Sequence, residues 1–516
     1  METTIHVLQR AAAQKINAFF AADRRQALLV TGARQVGKTT LIRNLGREAF
    51  PHFVEINFLE NPAARKLFEN AADSSDLLLR LSALAGQSLV PGKTLIFLDE
   101  VQECKEIVTA IKFLVEEGSY RYILSGSLLG VELKDIRSAP VGYMDVLEMF
   151  PMDLAEFARA NGVSDLVMEH LQRCYDQKQD VEPMIHQKMM ELFRLYLLVG
   201  GMPAAVECYL RTRNLYEVAQ VQQSILTLYK KDIARYDPQE KLYLEDIFDL
   251  IPSELNAKNK RFILKDLHQD FKLSRYRNSF LWLANAGVAL PTYNVEEPTL
   301  PLRLNRQSNL FKLFLCDVGL LAATYANGIQ LALLNGETNI NYGAVFENAA
   351  AQELTAHGFA LYYFNSKKQG ELDFVVEHAG HVLPLEIKSG KDYTRHNALS
   401  CVMENPAYHI PAAFVFHGGN VSVKEKITYY PVYMLMFLHK PEPEPDMTYI
   451  PDFGVLMGYK DFAALRARLE FARQGRGEGV GSLLRGRGTA AMPPPSFSPL
   501  AKTPPYFLSF ISYLLS

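Results

Sequence analysis

Apolar residues along this chain fall into short blocks, and the first of them, Ala27 to Thr31, runs directly into a glycine-containing loop before helical spacing begins at Thr39. Further blocks at Phe53 to Phe58, Thr94 to Leu98, Tyr120 to Leu124 and Asp145 to Met149 read as strands, with helical stretches between them. That alternation predicts a parallel sheet covered by helices on both faces, with Pro151 closing the unit before a helical region that runs to about Asp237. Between Asp237 and Ala323 the pattern becomes short helices, then an apolar segment, a Pro-rich turn and a strand at Leu310 to Leu315. Three helices followed by a hairpin suggest a winged helix. From about Asn341 a helix (Ala344 to His357) precedes strands at Ala360 to Phe364, Glu371 to Glu377 and Val382 to Lys388, which predicts a second α/β unit.

The expected organisation is therefore multidomain α/β: a sheet unit over 1–155, a helical region over 156–237, a winged-helix-like unit over 238–325, and a second α/β domain over 335–440. The remainder, 441–516, opens on Pro441-Glu-Pro-Glu-Pro445 and turns rich in Gly, Arg, Ser and Pro beyond Arg473, a composition that predicts disorder. With 516 residues, three or four domains of ordinary size are expected. The net charge of -3 argues against a generally basic nucleic-acid coat and directs attention to local patches. One such patch spans Lys258 to Arg277, where Lys258, Lys260, Arg261, Lys265, Lys272, Arg275 and Arg277 face only Asp266 and Asp270. On a recognition helix capped by Ser274, these bases would meet DNA; as a solvated face, or packed on a protein, they carry no such meaning.

Five widely spaced cysteines fit a reducing compartment, and the chain contains no stretch of about 18 apolar residues, so a cytoplasmic protein without a membrane span is expected.

The loop itself, Gly32-Ala33-Arg34-Gln35-Val36-Gly37-Lys38-Thr39, followed by Thr40, has the eight-residue spacing of a phosphate-binding loop between strand and helix. Its glycines let backbone N–H groups turn toward phosphates, Lys38 reaches the β and γ groups, and Thr39 is placed to ligate Mg²⁺, so ATP and Mg²⁺ are the expected cofactors. Leu95-Ile-Phe-Leu-Asp99-Glu100 supplies the partner: a buried strand ending in two carboxylates. Asp99 suits the Mg²⁺ shell, and Glu100 suits the orientation or deprotonation of attacking water. Ser125-Gly126-Ser127 ends the next strand, where either serine would sense the γ-phosphate.

In this order the residues resemble the AAA-type ATPases of bacteria and archaea whose C-terminal part is a domain of unknown function with a restriction-endonuclease-like fold. The likeness rests on Asp99-Glu100-Val-Gln102, Ser125-Gly-Ser127, Pro140-Val-Gly-Tyr143, Gly200-Gly-Met-Pro203, Tyr229-Lys-Lys-Asp232 and Asp317-Val-Gly-Leu320, besides the loop and a closing acidic motif. It implies ATP hydrolysis. It also implies an arginine finger, but Tyr143 stands where many relatives carry an arginine, which leaves Arg137 and Arg235 as the candidates and the oligomeric state open.

The acidic motif, Glu371-Leu-Asp373 and then Glu386-Ile-Lys388, resembles the PD-(D/E)xK nuclease core, with Glu347 on the preceding helix as an additional acid. Residues 386 and 388 of a strand share a face, so a carboxylate and an ammonium converge beside Asp373, and a second divalent ion is expected there. The same groups would equally form an ion-pair network in a retired nuclease fold that binds a partner. Two functions follow: an ATPase acting on nucleic acid, or a nucleotide-operated switch that engages a protein.

Overall fold

The computed structural model describes residues 8–22, 25–66, 68, 73–104, 106–127, 142–236, 241–257, 273–325, 332–335, 342–390 and 392–441. By contacts the chain divides into two units, Met1–Glu442 and Pro443–Ser516, and every described residue belongs to the first. Arg137, most of the basic segment from Lys258 and the tail beyond residue 441 lie outside the described residues, as do the side chains of Arg235, Arg275 and Arg277.

After α1 (Ala12–Ala21), the chain builds β1 (Ala27–Thr31), α2 (Lys38–Ala49), β2 (His52–Asn57), α3 (Pro62–Arg65), α4 (Ser74–Ala85), β3 (Thr94–Asp99), α5 (Glu106–Glu117), β4 (Arg121–Ser125) and β5 (Met144–Glu148). The five strands form a parallel sheet in the order β2-β3-β4-β1-β5. All six residues of β3 are buried because helices cover both faces of the sheet, and its side chains alternate between two cores. Leu95 and Phe97 join one core, Ile96 and Leu98 the other. The expected strands are thus found to within a residue or so at each end, and the carboxyl ends of β1, β3 and β4 meet at one edge.

A helical segment follows: α6 (Leu154–Ala160), α7 (Asp165–Gln177), α8 (Pro183–Val199), α9 (Pro203–Thr212), α10 (Leu215–Tyr236), α11 (Lys241–Asn256) and α12 (Leu273–Asn285). Asp153 and Glu156 close a capping box that fixes where α6 begins, directly after the first sheet. No single described helix is long and apolar enough to cross a membrane; only the bent pair of α8 and α9 reaches that composition when taken together.

The last part comprises β6 (Ala289–Val295), β7 (Arg306–Leu315), α13 (Val318–Ala322), α14 (Gly343–Ala356), β8 (Tyr362–Ser366), β9 (Gly370–His378), β10 (His381–Ile387), α15 (Asn397–Glu404), β11 (Ala413–His417), β12 (Ser422–Lys424) and β13 (Ile427–Pro431). These strands form one mixed sheet ordered β12-β13-β11-β10-β9-β8-β6-β7. The hairpin expected to be the wing of a separate unit is present as β6 and β7, but β6 also pairs in parallel with β8, through Tyr293 and Tyr362. The hairpin is therefore an edge of the second sheet, and the boundary expected between 325 and 335 falls inside it. The reason is burial: α14 is buried continuously from Ala344 to Leu354, covering the sheet on one side and meeting α8 and α13 on the other.

Candidate functional site

The phosphate loop takes its shape from three positions with positive φ: Gly32 (135°), Gln35 (71°) and Gly37 (92°). A Cβ at Gly32 would lie 2.1 Å from the carbonyl oxygen of Met149, so only glycine fits where β1 leaves the sheet beside the end of β5. Lys38 opens α2, and its Nζ donates to the carbonyl oxygens of Gly32 at 2.9 Å and Ala33 at 2.8 Å. The side chain is only 7% exposed. Burial pulls its pKa down to about 8, against the attraction of Glu100 and Asp99.

Asp99, at the end of β3, accepts from Thr39 Oγ1 at 3.1 and 3.2 Å, from Asn57 Nδ2 at 3.1 Å, from the Glu100 N–H at 3.1 Å and from the Ser125 hydroxyl. Burial raises its pKa, and the hydroxyl of Ser125 works in the opposite direction. A hydroxyl facing a carboxylate beside a phosphate loop is a donor set that fits Mg²⁺. Glu100 follows with φ 56°, a left-handed conformation uncommon for this residue type. Its carboxylate accepts from Gln102 Nε2, which also reaches Ser127 Oγ at 3.5 Å. The two serines thus part company: Ser125 turns to Asp99, and Ser127 lies with Glu100, Lys38 and Thr39 along a cavity of about 400 Å³. Pro203 and Glu207, in the first half of α9, also line it. A larger open depression of about 650 Å³ lies nearby at Arg43, Glu55 and Asn57, but it contains no phosphate loop, and Arg43 is already held by Glu55.

Asn57 and Gln102 were not among the expected site residues. Asn57 is in register with Asp99 across β2 and β3, and its signal in the sequence is a polar residue ending an apolar strand at the same edge.

The other motifs brace this site from a distance. Arg10 donates to the carbonyl oxygens of Val36 at 2.8 Å and Phe150 at 2.6 Å, and its Nε meets Glu156 at 3.1 Å. Tyr229 of α10 donates to the carbonyl oxygen of Arg34 at 2.9 Å, and Asp232 accepts from the Arg34 guanidinium. Gly201 passes close to Met152, a Cβ there falling 1.9 Å from the Met152 carbonyl oxygen, and its N–H donates to Asp317 Oδ2 at 2.6 Å. Asp317 caps α13 through Leu320 N–H at 3.0 Å, and burial raises its pKa to about 6.

In the second sheet, Asp373 on β9 accepts from Ile387 N–H at 2.9 Å, and Lys388 Nζ donates to Glu386 Oε2 at 2.8 Å. Burial first, and then Asp373, push Glu386 up to about 8. The sequence reading missed Lys312 of β7, a fully buried lysine that lies 2.7 Å from Glu371 and 3.7 Å from Glu347. Burial opposes its charge, yet Glu347, Glu371 and Asp373 together hold its pKa above the ordinary lysine value. Its signal was a single charge inside the apolar run Leu310 to Leu315. Among the described residues no group of three or more His, Cys, Asp or Glu is disposed to hold a metal ion. Two ammonium groups stand among these acids, so the set does not fit a resident divalent ion as it fits ion pairing.

A family profile described as an AAA domain matches residues 24–158, and two domains of unknown function, DUF8612 and DUF4143, match residues 190–331 and 342–435. No curated protein matches the chain. Among solved structures, the Walker-type ATPase PABY2304 of Pyrococcus abyssi is 14% identical, with a TM-score of 0.37, over 61% of this chain and 95% of that one. The Orc1 protein of Aeropyrum pernix, solved in complex with DNA, is 13% identical with a TM-score of 0.24, over 63% and 90% of the two chains. RuvB of Thermotoga maritima is 14% identical with a TM-score of 0.25, over 57% and 91%. These structural likenesses are too slight to bear on function. Residues 24–158, which match the AAA domain profile, are the ones that build the parallel sheet and the phosphate loop with its Asp99-Glu100 partner.

Proposed function

We propose that the chain binds ATP with Mg²⁺ at Gly32 to Thr40 and hydrolyses it with Glu100 as the residue that directs water. The observation that carries this reading is the Glu100 carboxylate held by Gln102 in the cavity that Lys38 and Thr39 also line. The loop N–H groups and Lys38 would bind the β and γ phosphates, replacing the carbonyl contacts that Lys38 now makes. The chemistry supplied by Mg²⁺ at Thr39 and Asp99 is neutralisation of charge on the β and γ oxygens. Water attacks the γ-phosphorus as the bond to the β–γ bridging oxygen breaks, Glu100 takes the water proton, and ADP and inorganic phosphate leave.

Nucleotide state is passed, in this reading, to action on nucleic acid by the C-terminal half. Support comes from α14: Glu353 accepts from Leu154 N–H at 2.8 Å and Gln352 donates to the Met152 carbonyl at 3.4 Å, directly after the ATPase sheet, while Glu347 nearer the start of the helix faces Lys312. The helix, three antiparallel strands, helix and parallel strand from α14 to β11 have the order of a PD-(D/E)xK fold. The ion pairs of Lys312 and Lys388 favour a second reading, in which that domain is an inactive nuclease-like module and the chain is a nucleotide-operated switch for a protein partner.

ATP turnover measured with and without single- and double-stranded DNA, over a range of salt, separates the two. Stimulation that weakens as salt rises supports the first. Turnover indifferent to DNA at low salt supports the switch.

A further inference from the structure

The phosphate loop contains an arginine of its own. Arg34 sits two residues after Gly32, at the crown of the loop, and lines the same cavity as Lys38, Thr39 and Glu100. Both ends of the residue are gripped by α10. The Tyr229 hydroxyl donates to its carbonyl oxygen at 2.9 Å, and one helical turn later Asp232 pairs with its guanidinium at 2.5 Å. The Arg34 side chain, which lines the cavity, remains 30% exposed and Asp232 behind it 12%, so the pair is not sealed in the core. Arg34 is also close enough to Lys38 for its charge to disfavour the lysine's proton, as expected of a cation beside the phosphate cradle.

We propose that Arg34 is the arginine that stabilises the transferring γ-phosphoryl group, supplied within the chain by the phosphate loop itself, and that Asp232 holds it in reserve until ATP is bound. The inference rests on the ATP-hydrolysing reading of this site and adds the missing finger to it. A terminal γ-phosphate offers a guanidinium more negative charge than one carboxylate and the same planar pairing, so ATP competes with Asp232 for Arg34. ADP has no γ group at the crown and leaves the pair intact. ATP therefore loosens one anchor of α10 and ADP does not. Nearer the start of α10, Gln222 donates to the carbonyl oxygens of Leu198 and Val199, just before Gly200, and Gln223 donates to that of Ala323, just past α13. The exchange at Arg34 thus acts on the helix that touches the start of the C-terminal half.

The test uses the full chain and measures ATP affinity, ADP affinity and ATP turnover for the wild type, Asp232→Asn, Arg34→Ala, Arg34→Lys and the double variant. Freed from its carboxylate in Asp232→Asn, Arg34 should tighten ATP binding by about fivefold and leave ADP within about twofold. Arg34→Ala should slow turnover by about tenfold or more with ADP affinity little changed, and Asp232→Asn should then have no effect on ATP affinity in that background. Arg34→Lys keeps the charge without the fork and should fall between. Equal shifts of ATP and ADP in Asp232→Asn overturn the proposal, as does turnover within twofold of wild type in Arg34→Ala, or in Arg34→Lys if the alanine variant does not fold. The affinity comparison needs no hydrolysis, so it fails or succeeds independently of the role given to Glu100.

Discussion

Lys38 Nζ and the carbonyl oxygen of Gly32 are 2.9 Å apart, so the cation of the phosphate loop is held by the loop's own backbone across its mouth. A phosphate entering the loop takes over that ammonium, and among the described residues no other lysine lines the cavity. Lys38→Ala is expected to weaken ATP binding by about a hundredfold, the loss of a buried charge-assisted contact, with folding retained. Calorimetric titration of the purified variant reads this directly, and unchanged affinity would remove Lys38 from the site.

Lys312 offers a different kind of test, because its ammonium is enclosed with Glu371 and Glu347. Replacing it by methionine keeps most of the volume and leaves the acids without their cation, which should cost about 3–5 kcal/mol of stability. Adding Glu347→Gln should recover part of that loss. A melting temperature for Lys312→Met within a degree or two of wild type would show that the pair contributes little.

Glu353 predicts a pH dependence. Burial first, moderated by the nearby His357, raises its pKa from 4.5 to about 8, so the folded state keeps a proton that the unfolded chain gives up. Stability should therefore fall as pH rises from about 4.5 toward about 8, and the raised pKa of His357 acts in the same direction. Glu353→Gln keeps the acceptor for Leu154 N–H and should reduce the dependence of melting temperature on pH over that window, leaving the shares due to His357, Asp317 and Glu386. An undiminished slope in the variant would place the titrating group elsewhere.

The parallel sheet and its phosphate loop were legible because their signals are local: an apolar strand, glycines at fixed spacing, and a second strand ending in paired acids. Asp99 and Glu100 stand where that pattern puts them. Asn57 and Lys312 were not legible, since their roles depend on strand register and on sheet neighbours dozens of residues away. The hairpin of β6 and β7 is legible as a hairpin, whereas the pairing of β6 with β8 is not, because it is a contact across about 70 residues that leaves no periodicity in either strand. Tyr229 and Asp232 belong to one short sequence motif, yet only the fold brings them to Arg34.

The central claim is hydrolysis directed by Glu100, and the most direct measurement is phosphate release by Glu100→Gln under conditions where ATP binding to the same preparation is also measured. The amide keeps the shape and the contact with Gln102 but takes no proton from water. The expected result is ATP affinity within about threefold of wild type and turnover reduced by about tenfold or more. Wild-type turnover in this variant would contradict the account and move the catalytic base to another residue.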